Sequence, residues 1–269
     1  MRHQLLGKKD APIGILDSGL GGLTTWAEVR SQLPHESIVY VGDHAYQPYG
    51  AQQGSVIRNR VKQLIQFLLA KKVKLIVVAC NTATVAGIDT YRRWFPRIPI
   101  IGVVPVVKTA ASMTRRKHFM VLSTPNTAAS PYQKHLIETF AGDCRVENIG
   151  IPDLVTYIEK GESDERIVRL LRRFLQPETL KGVDVIVLGC THFPFITRQI
   201  RRIAGDRVLI IDSAPAVARH VARVLAAEKL RSDARKPYTE FYTTGDAHQA
   251  SRVATNLTGI TIKFTYAKL

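Results

Sequence analysis

Two cysteines carry the chemical argument. Cys80 closes the run VVAC and opens NTAT, and Cys190 closes VLGC and opens THFP 110 residues later. Each apolar, strand-like run thus ends in a thiol followed by small polar residues, and in α/β sheets ligands gather beyond the carboxyl ends of the strands. A thiolate can take a proton from a stereocentre and a thiol can return one to the opposite face. A pair of them facing one small molecule across a cleft would therefore invert its configuration. A free thiol, with a pKa of about 8.5, is only a few per cent ionised near neutrality, so each cysteine needs a neighbour to share protons with. Asp17, in ILDSG, and His192, two residues beyond Cys190, are available for that. A lone buried cysteine is ordinarily a small hydrophobe, but two at matching points of a repeat fit that explanation poorly. Cys144, in AGDCRVE with no polar constellation around it, keeps the ordinary reading.

The other candidate residues lie in loops that would follow strands: Asp17-Ser18-Gly19, Gly42-Asp43 running to Pro48-Tyr49-Gly50, Asn81-Thr82, Thr191-His192, and Thr124 with Thr127. They are mostly small, polar and uncharged. With backbone N–H groups at Tyr49-Gly50 and at helix N-termini, they could hold carboxylates and an ammonium by hydrogen bonds; any one Ser or Thr could equally be a helix cap. GLGG at 19–22 matches neither GxGxxG nor GxxxxGK[ST], which argues against a nucleotide. No HExxH, paired CxxC or EF-hand spacing is present, so the expectation is an enzyme without metal.

Short, continuous, β-branched runs at 13–16, 38–41, 75–79, 100–104, 119–122, 185–188 and 208–211 are the mark of parallel strands covered on both faces. Between them, 55–72 places Ile57, Val61, Leu64, Ile65, Leu68 and Leu69 on one helical face with Ser55 as its cap, and 163–176 does the same with Ile167, Leu170, Leu171 and Phe174. Strand–helix alternation predicts an α/β fold with mostly parallel sheets. The pairs LIVVACNTAT/VIVLGCTHFP, GILDSG/MVLSTP and IIG/IID recur in order at offsets of 106–110 residues. That pattern predicts two similar α/β domains related by a pseudo-twofold, with the active site in the cleft between them. A late strand-like run, IKFTY, could rejoin the first domain, giving 1–105 plus 215–269 and 106–214.

Composition bounds the class. With 269 residues, 45% apolar and 22% charged, the chain is neither disordered nor fibrous, and no apolar stretch approaches the roughly 18–20 residues of a membrane span. MRHQLLGKKDAP lacks the apolar stretch of a secretory signal, and three scattered cysteines make no disulfide framework, so a cytoplasmic protein is expected. The excess of 38 Lys and Arg over 22 Asp and Glu, a formal +16, suggests an anionic partner or plain solubility. Basic groups cluster at Arg115-Arg116-Lys117-His118, Arg172-Arg173, Arg201-Arg202 and Arg219 with Arg223. No nucleic-acid module accompanies them, so they read as solvated helix faces.

The motifs IGILDSGLGGLT, GDHAYQPYG, VVACNTAT, IIGVVPVVK, STPNTAAS, LGCTHFP and IDSAPAVA together resemble those of the glutamate racemases, in the aspartate/glutamate racemase superfamily, over nearly the whole chain. The resemblance implies cofactor-independent interconversion of L- and D-glutamate, supplying D-glutamate for peptidoglycan, by a two-domain enzyme that forms a homodimer. It makes Cys80 the base acting on D-glutamate and Cys190 the base acting on L-glutamate, assisted by Asp17 and His192, with Glu159 supporting the histidine. It implies substrate contacts at Asp17, Ser18, Tyr49, Gly50, Asn81, Thr82, Thr124, Thr127, Thr191 and His192. The sequence departs from the usual pattern at His44 and Tyr46, where Thr and Arg are usual, in a shortened ASPYQ segment, and in GIP at 150–152. Aspartate racemase is the alternative within the class; binding of nucleic acid or DNA gyrase, which some relatives are said to bind, is the alternative outside it.

Overall fold

A computed structural model describes residues 8–103 and 106–269. MRHQLLG of the N-terminal segment, Val104 of the fourth expected strand and Pro105 of IIGVVPVVK lie outside the described residues. Among the described residues ten strands form two sheets: β1 (Ile13–Asp17), β2 (Ile38–Gly42), β3 (Leu75–Val78), β4 (Ile100–Gly102), β5 (His118–Ser123), β6 (Arg145–Gly150), β7 (Val185–Leu188), β8 (Leu209–Asp212), β9 (Thr239–Thr243) and β10 (Phe264–Tyr266). The chain divides into two compact units, Met1–Val103 with Ala214–Leu269, and Val104–Ser213.

The first unit holds the sheet β10-β9-β2-β1-β3-β4, and every pairing in it is parallel. Its central strands β1, β2 and β3 are buried along their whole length, as continuous apolar runs require when helices cover both faces. Toward the β9 and β10 side an aromatic cluster fills the core, with Trp26–Phe241 ring centroids 5.1 Å apart and Tyr40–Phe264 6.0 Å apart. A buried ion pair adds to it: Lys74 Nζ lies 2.5 Å from Glu36 Oε2 and donates to the carbonyl oxygens of Lys9 and Leu230. Glu36 Oε1 in turn accepts the Ser232 N–H at 2.8 Å.

The second unit holds β6-β5-β7-β8, also all parallel. This order repeats β2-β1-β3-β4 of the first unit strand for strand.

Several local expectations are corrected. The helix Gly54–Ala70 has Gln53 at its N-cap, so Ser55 lies inside it and Leu69 is only half-buried. The helix Asp164–Leu171 ends three residues before Phe174, and Ser163 caps it by accepting the Arg166 N–H. His118 does not belong to a solvated basic run. It opens β5, is buried, and sets Nε2 3.3 Å from Glu147 Oε1. Strands β6 and β9, absent from the sequence reading, are half-exposed segments with no continuous apolar run. Strand β8 starts one residue later than expected, and β4 is confined to Ile100–Gly102. Among the described residues no helix is long and apolar enough to cross a membrane.

Candidate active site

In each sheet the strand order reverses beside the first strand of the unit, and that reversal opens a crevice at the carboxyl ends. In the first unit β2 lies on one side of β1 and β3 on the other; in the second, β6 and β7 flank β5 in the same way. Asp17 ends β1 and Cys80 follows β3 by two residues, while Ser123 ends β5 and Cys190 follows β7 by two residues. The two thiols therefore occupy corresponding positions in their units. Neither is in a disulfide, and both are buried.

Around Cys80 the loop ends of the first unit bring polar groups together. Cys80 is the N-cap of the helix Asn81–Trp94, and its sulfur accepts the Ala83 N–H at 3.4 Å. A sulfur at a helix N-terminus meets the positive end of the backbone dipoles, which favours negative charge there. The Cys80 thiol also reaches Ser18 Oγ at 3.7 Å. Asp17 is fully buried, and its Oδ2 accepts the Gly19 N–H at 3.0 Å. The glycine-rich turn beyond β1 has a packing reason: a Cβ on Gly22 would sit 2.8 Å from Asp17 Cβ and 3.0 Å from Tyr40 Oη. Asn81 and Thr82, opening the helix, are buried, and neither Nδ2 nor Oδ1 of Asn81 has a hydrogen-bond partner. Buried polar atoms are nearly always paired, so this open amide is a ready ligand contact.

Tyr49 and Gly50 open a 3-10 turn whose internal hydrogen bonds begin with Ala51 donating to Pro48. Tyr49 Oη donates to Asp43 Oδ2 at 2.6 Å. Burial first, and then the Asp43 charge, hold the Tyr49 phenol protonated well above its usual range. Asp43 itself is fully buried and also receives Arg60 and Thr244. Neither Arg60 nor Thr244 was singled out by the sequence.

In the second unit His192 stands beside Cys190. Its Nε2 lies 2.6 Å from Glu159 Oε1, and the ring is fully buried. Burial pulls its pKa down, but hydrogen bonds to Cys190 and Glu159 and their negative charge outweigh that and raise it well above the ordinary value. Glu159 lies on the helix Leu154–Lys160, so the histidine bridges a helix and the loop after β7. Thr124 caps the short helix Pro125–Ala128, accepting the Thr127 N–H, and the two hydroxyl oxygens are 3.0 Å apart. Thr191, next to Cys190 in sequence, is buried. Gln133, fully buried with both amide atoms unpaired, is a residue that the sequence reading missed; only its place in the shortened ASPYQ segment hinted at it. Cys144 is half-buried and bonded to neighbouring Asp143, apart from these groups in sequence. Among the described residues no group of three His, Cys, Asp or Glu could hold a metal ion.

Residues 24–221 match the family model described as Asp/Glu/Hydantoin racemase. The chain is 45% identical to a glutamate racemase of Roseiflexus sp. (strain RS-1) over 80% of this chain and 79% of that protein. It is 39% identical to a glutamate racemase of Stutzerimonas stutzeri (strain A1501), covering 93% of this chain and 94% of that one. Its fold is similar to the crystal structure of a glutamate racemase isoform from Bacillus anthracis, with a TM-score of 0.90 at 32% identity over 97% of this chain and 98% of the other.

Proposed function

The chain belongs to the Asp/Glu/Hydantoin racemase family, and from that premise we propose that it interconverts L- and D-glutamate by proton exchange at the α-carbon between Cys80 and Cys190. The observation that carries the proposal is the correspondence of the two thiols. Each is buried two residues beyond the carboxyl end of the equivalent strand, and each has its own support, Ser18 and the helix N-terminus for Cys80, His192 and Glu159 for Cys190. The mechanism requires the sulfurs to address opposite faces of one carbon.

In the L-to-D direction the Cys190 thiolate takes the α-proton, the carbon holds a transient carbanion delocalised into the carboxylate, and the Cys80 thiol delivers its proton to the opposite face. The enzyme is left with the reverse charge distribution, and D-glutamate is processed by the mirror sequence from Cys80. His192, hydrogen-bonded to Cys190, is placed to exchange protons with it. The buried Asn81 amide and the hydroxyls of Ser18, Thr82, Thr124, Thr127 and Thr191 are suited to the substrate's carboxylates and ammonium. Tyr49-Gly50 complete that set. The reading includes the two units as domains, a cytoplasmic homodimer, supply of D-glutamate for peptidoglycan, and no cofactor. Glutamate is preferred to aspartate on the name that the similar relatives share.

The test is racemisation in deuterium oxide without added cofactor, followed by circular dichroism and mass spectrometry. The product enantiomer is expected to carry solvent deuterium at the α-carbon. Cys80→Ala and Cys190→Ala should each lower turnover by about a hundred- to ten-thousandfold, as loss of an acid or base in the reacting geometry does. Retention of the original α-hydrogen, or near-normal turnover by either variant, rejects the assignment.

A further inference from the structure

Asp43 is a buried carboxylate with every acceptor position engaged. Arg60, from the helix Gly54–Ala70, grips it with a fork: Nη2 donates to Oδ1 at 2.7 Å and Nε to Oδ2 at 3.0 Å. Thr244, just past β9, donates to Oδ1 at 2.7 Å, and Tyr49 donates to Oδ2 at 2.6 Å. The guanidinium also lies 4.0 Å over the ring of Tyr46, so the same cation clamps the loop at both Asp43 and Tyr46, just ahead of the Tyr49-Gly50 turn. A planar fork on a carboxylate fixes direction as well as charge.

We propose that Arg60 is a positioning residue for substrate binding, acting through Asp43 on the Tyr49-Gly50 turn. The proposal rests on the functional reading above, in which that turn contacts glutamate. Asp43 is too deep to be left charged without its cation, since an unpaired buried carboxylate takes up a proton or moves. Either response weakens the anchor of the Tyr49 hydroxyl, by loss of charge or of place, and the turn is held less firmly. Arg60 touches no reacting atom. Its effect is on how tightly the ground and transition states are held alike, which shows in KM and leaves kcat in place.

The experiment is a double-mutant cycle on the full chain, with kcat and KM for both enantiomers read by circular dichroism and folding by thermal melts. Arg60→Met is expected to raise KM about tenfold in both directions with kcat within about twofold. In a Tyr49→Phe background, where the hydroxyl link is already gone, the same substitution is expected to raise KM less than about twofold, because the two residues act in series. Arg60→Lys keeps the charge but not the fork; it is expected to raise KM about threefold, and the cycle is read with it where Arg60→Met does not fold. An unchanged KM overturns the assignment. So does a full effect persisting in the Tyr49→Phe background, or a loss confined to melting temperature and kcat. A wild-type chain that leaves glutamate optically unchanged overturns the functional reading together with this one, whereas an active wild type with an unaffected Arg60→Met overturns this one alone.

Discussion

Glu159 Oε1 and His192 Nε2 lie 2.6 Å apart, and the imidazole so held is also hydrogen-bonded to Cys190. Three groups from one helix and one loop thus form a chain in which a carboxylate stabilises an imidazolium beside the Cys190 sulfur. Burial by itself would keep this histidine neutral; the two acidic neighbours reverse the outcome.

Glu159→Gln removes the charge and leaves the shape. Hydrogen bonds to charged groups contribute about 1.5–3 kcal/mol, so kcat/KM is expected to fall about 10- to 100-fold. The fall is equal in both directions, because enantiomers interconvert with an equilibrium constant of one. The pH profile carries the sign. The His192 pKa is raised in the folded enzyme, so the imidazolium persists from acid pH up through that elevated value and is lost above it. Removing a cause of the elevation moves the loss, and the alkaline fall in kcat/KM, to lower pH. An alkaline limb that stays in place or moves upward counts against the assignment. Stability follows the same sign: the contribution of His192 is complete below about pH 6.5 and is lost as pH rises through the folded-state pKa.

Asn81 is placed for ligand at the expense of stability. Both polar atoms of its amide are buried without a partner, and an orphaned buried polar group costs about 1–3 kcal/mol. Asn81→Leu, similar in size, is therefore expected to leave the melting temperature unchanged or higher while raising KM for glutamate at least about tenfold. A lower melting temperature with KM unaltered would show that the amide serves the fold alone.

Lys74 is expected to be among the costliest single substitutions outside the site. Lys74→Met leaves Glu36 buried and unpaired, a change that typically costs about 3–5 kcal/mol, and urea denaturation reads it directly. Adding Glu36→Leu should recover most of the loss, because replacing both partners by apolar groups is far milder than removing one. A single-variant loss below about 1 kcal/mol would contradict the depth assigned to this pair.

The fold was legible where burial imposes a simple pattern. Central strands such as β1 and β3, covered on both faces, must be continuous apolar runs, and each thiol follows its strand directly. Strand β6, at a sheet edge, and the half-exposed β9 carry mixed sequences, RVENIG and TEFYT, that a search for apolar runs passes over. His118 reads as part of a basic run, yet its place is decided by the strand it opens and by Glu147 on β6. The support of the site was less legible than its thiols. Arg60 reaches Asp43 across 17 residues from a different element, and Thr244 reaches it across 201. Tyr46, visible in sequence only as a departure from the usual pattern, is the ring beneath that arginine.

The return of β9 and β10 to the first sheet means that this unit is written in two instalments, with the whole second unit translated in between. On the ribosome, a nascent chain that has already emitted Asp43, Tyr49 and Arg60 must wait for Thr244 before the carboxylate gains its last donor. The interposed lobe, contiguous in sequence, has no such delay. Completion of the Asp43 anchor is thereby tied to chain made only after the second unit, and a ribosome that stalls between the two instalments leaves that carboxylate short of a donor.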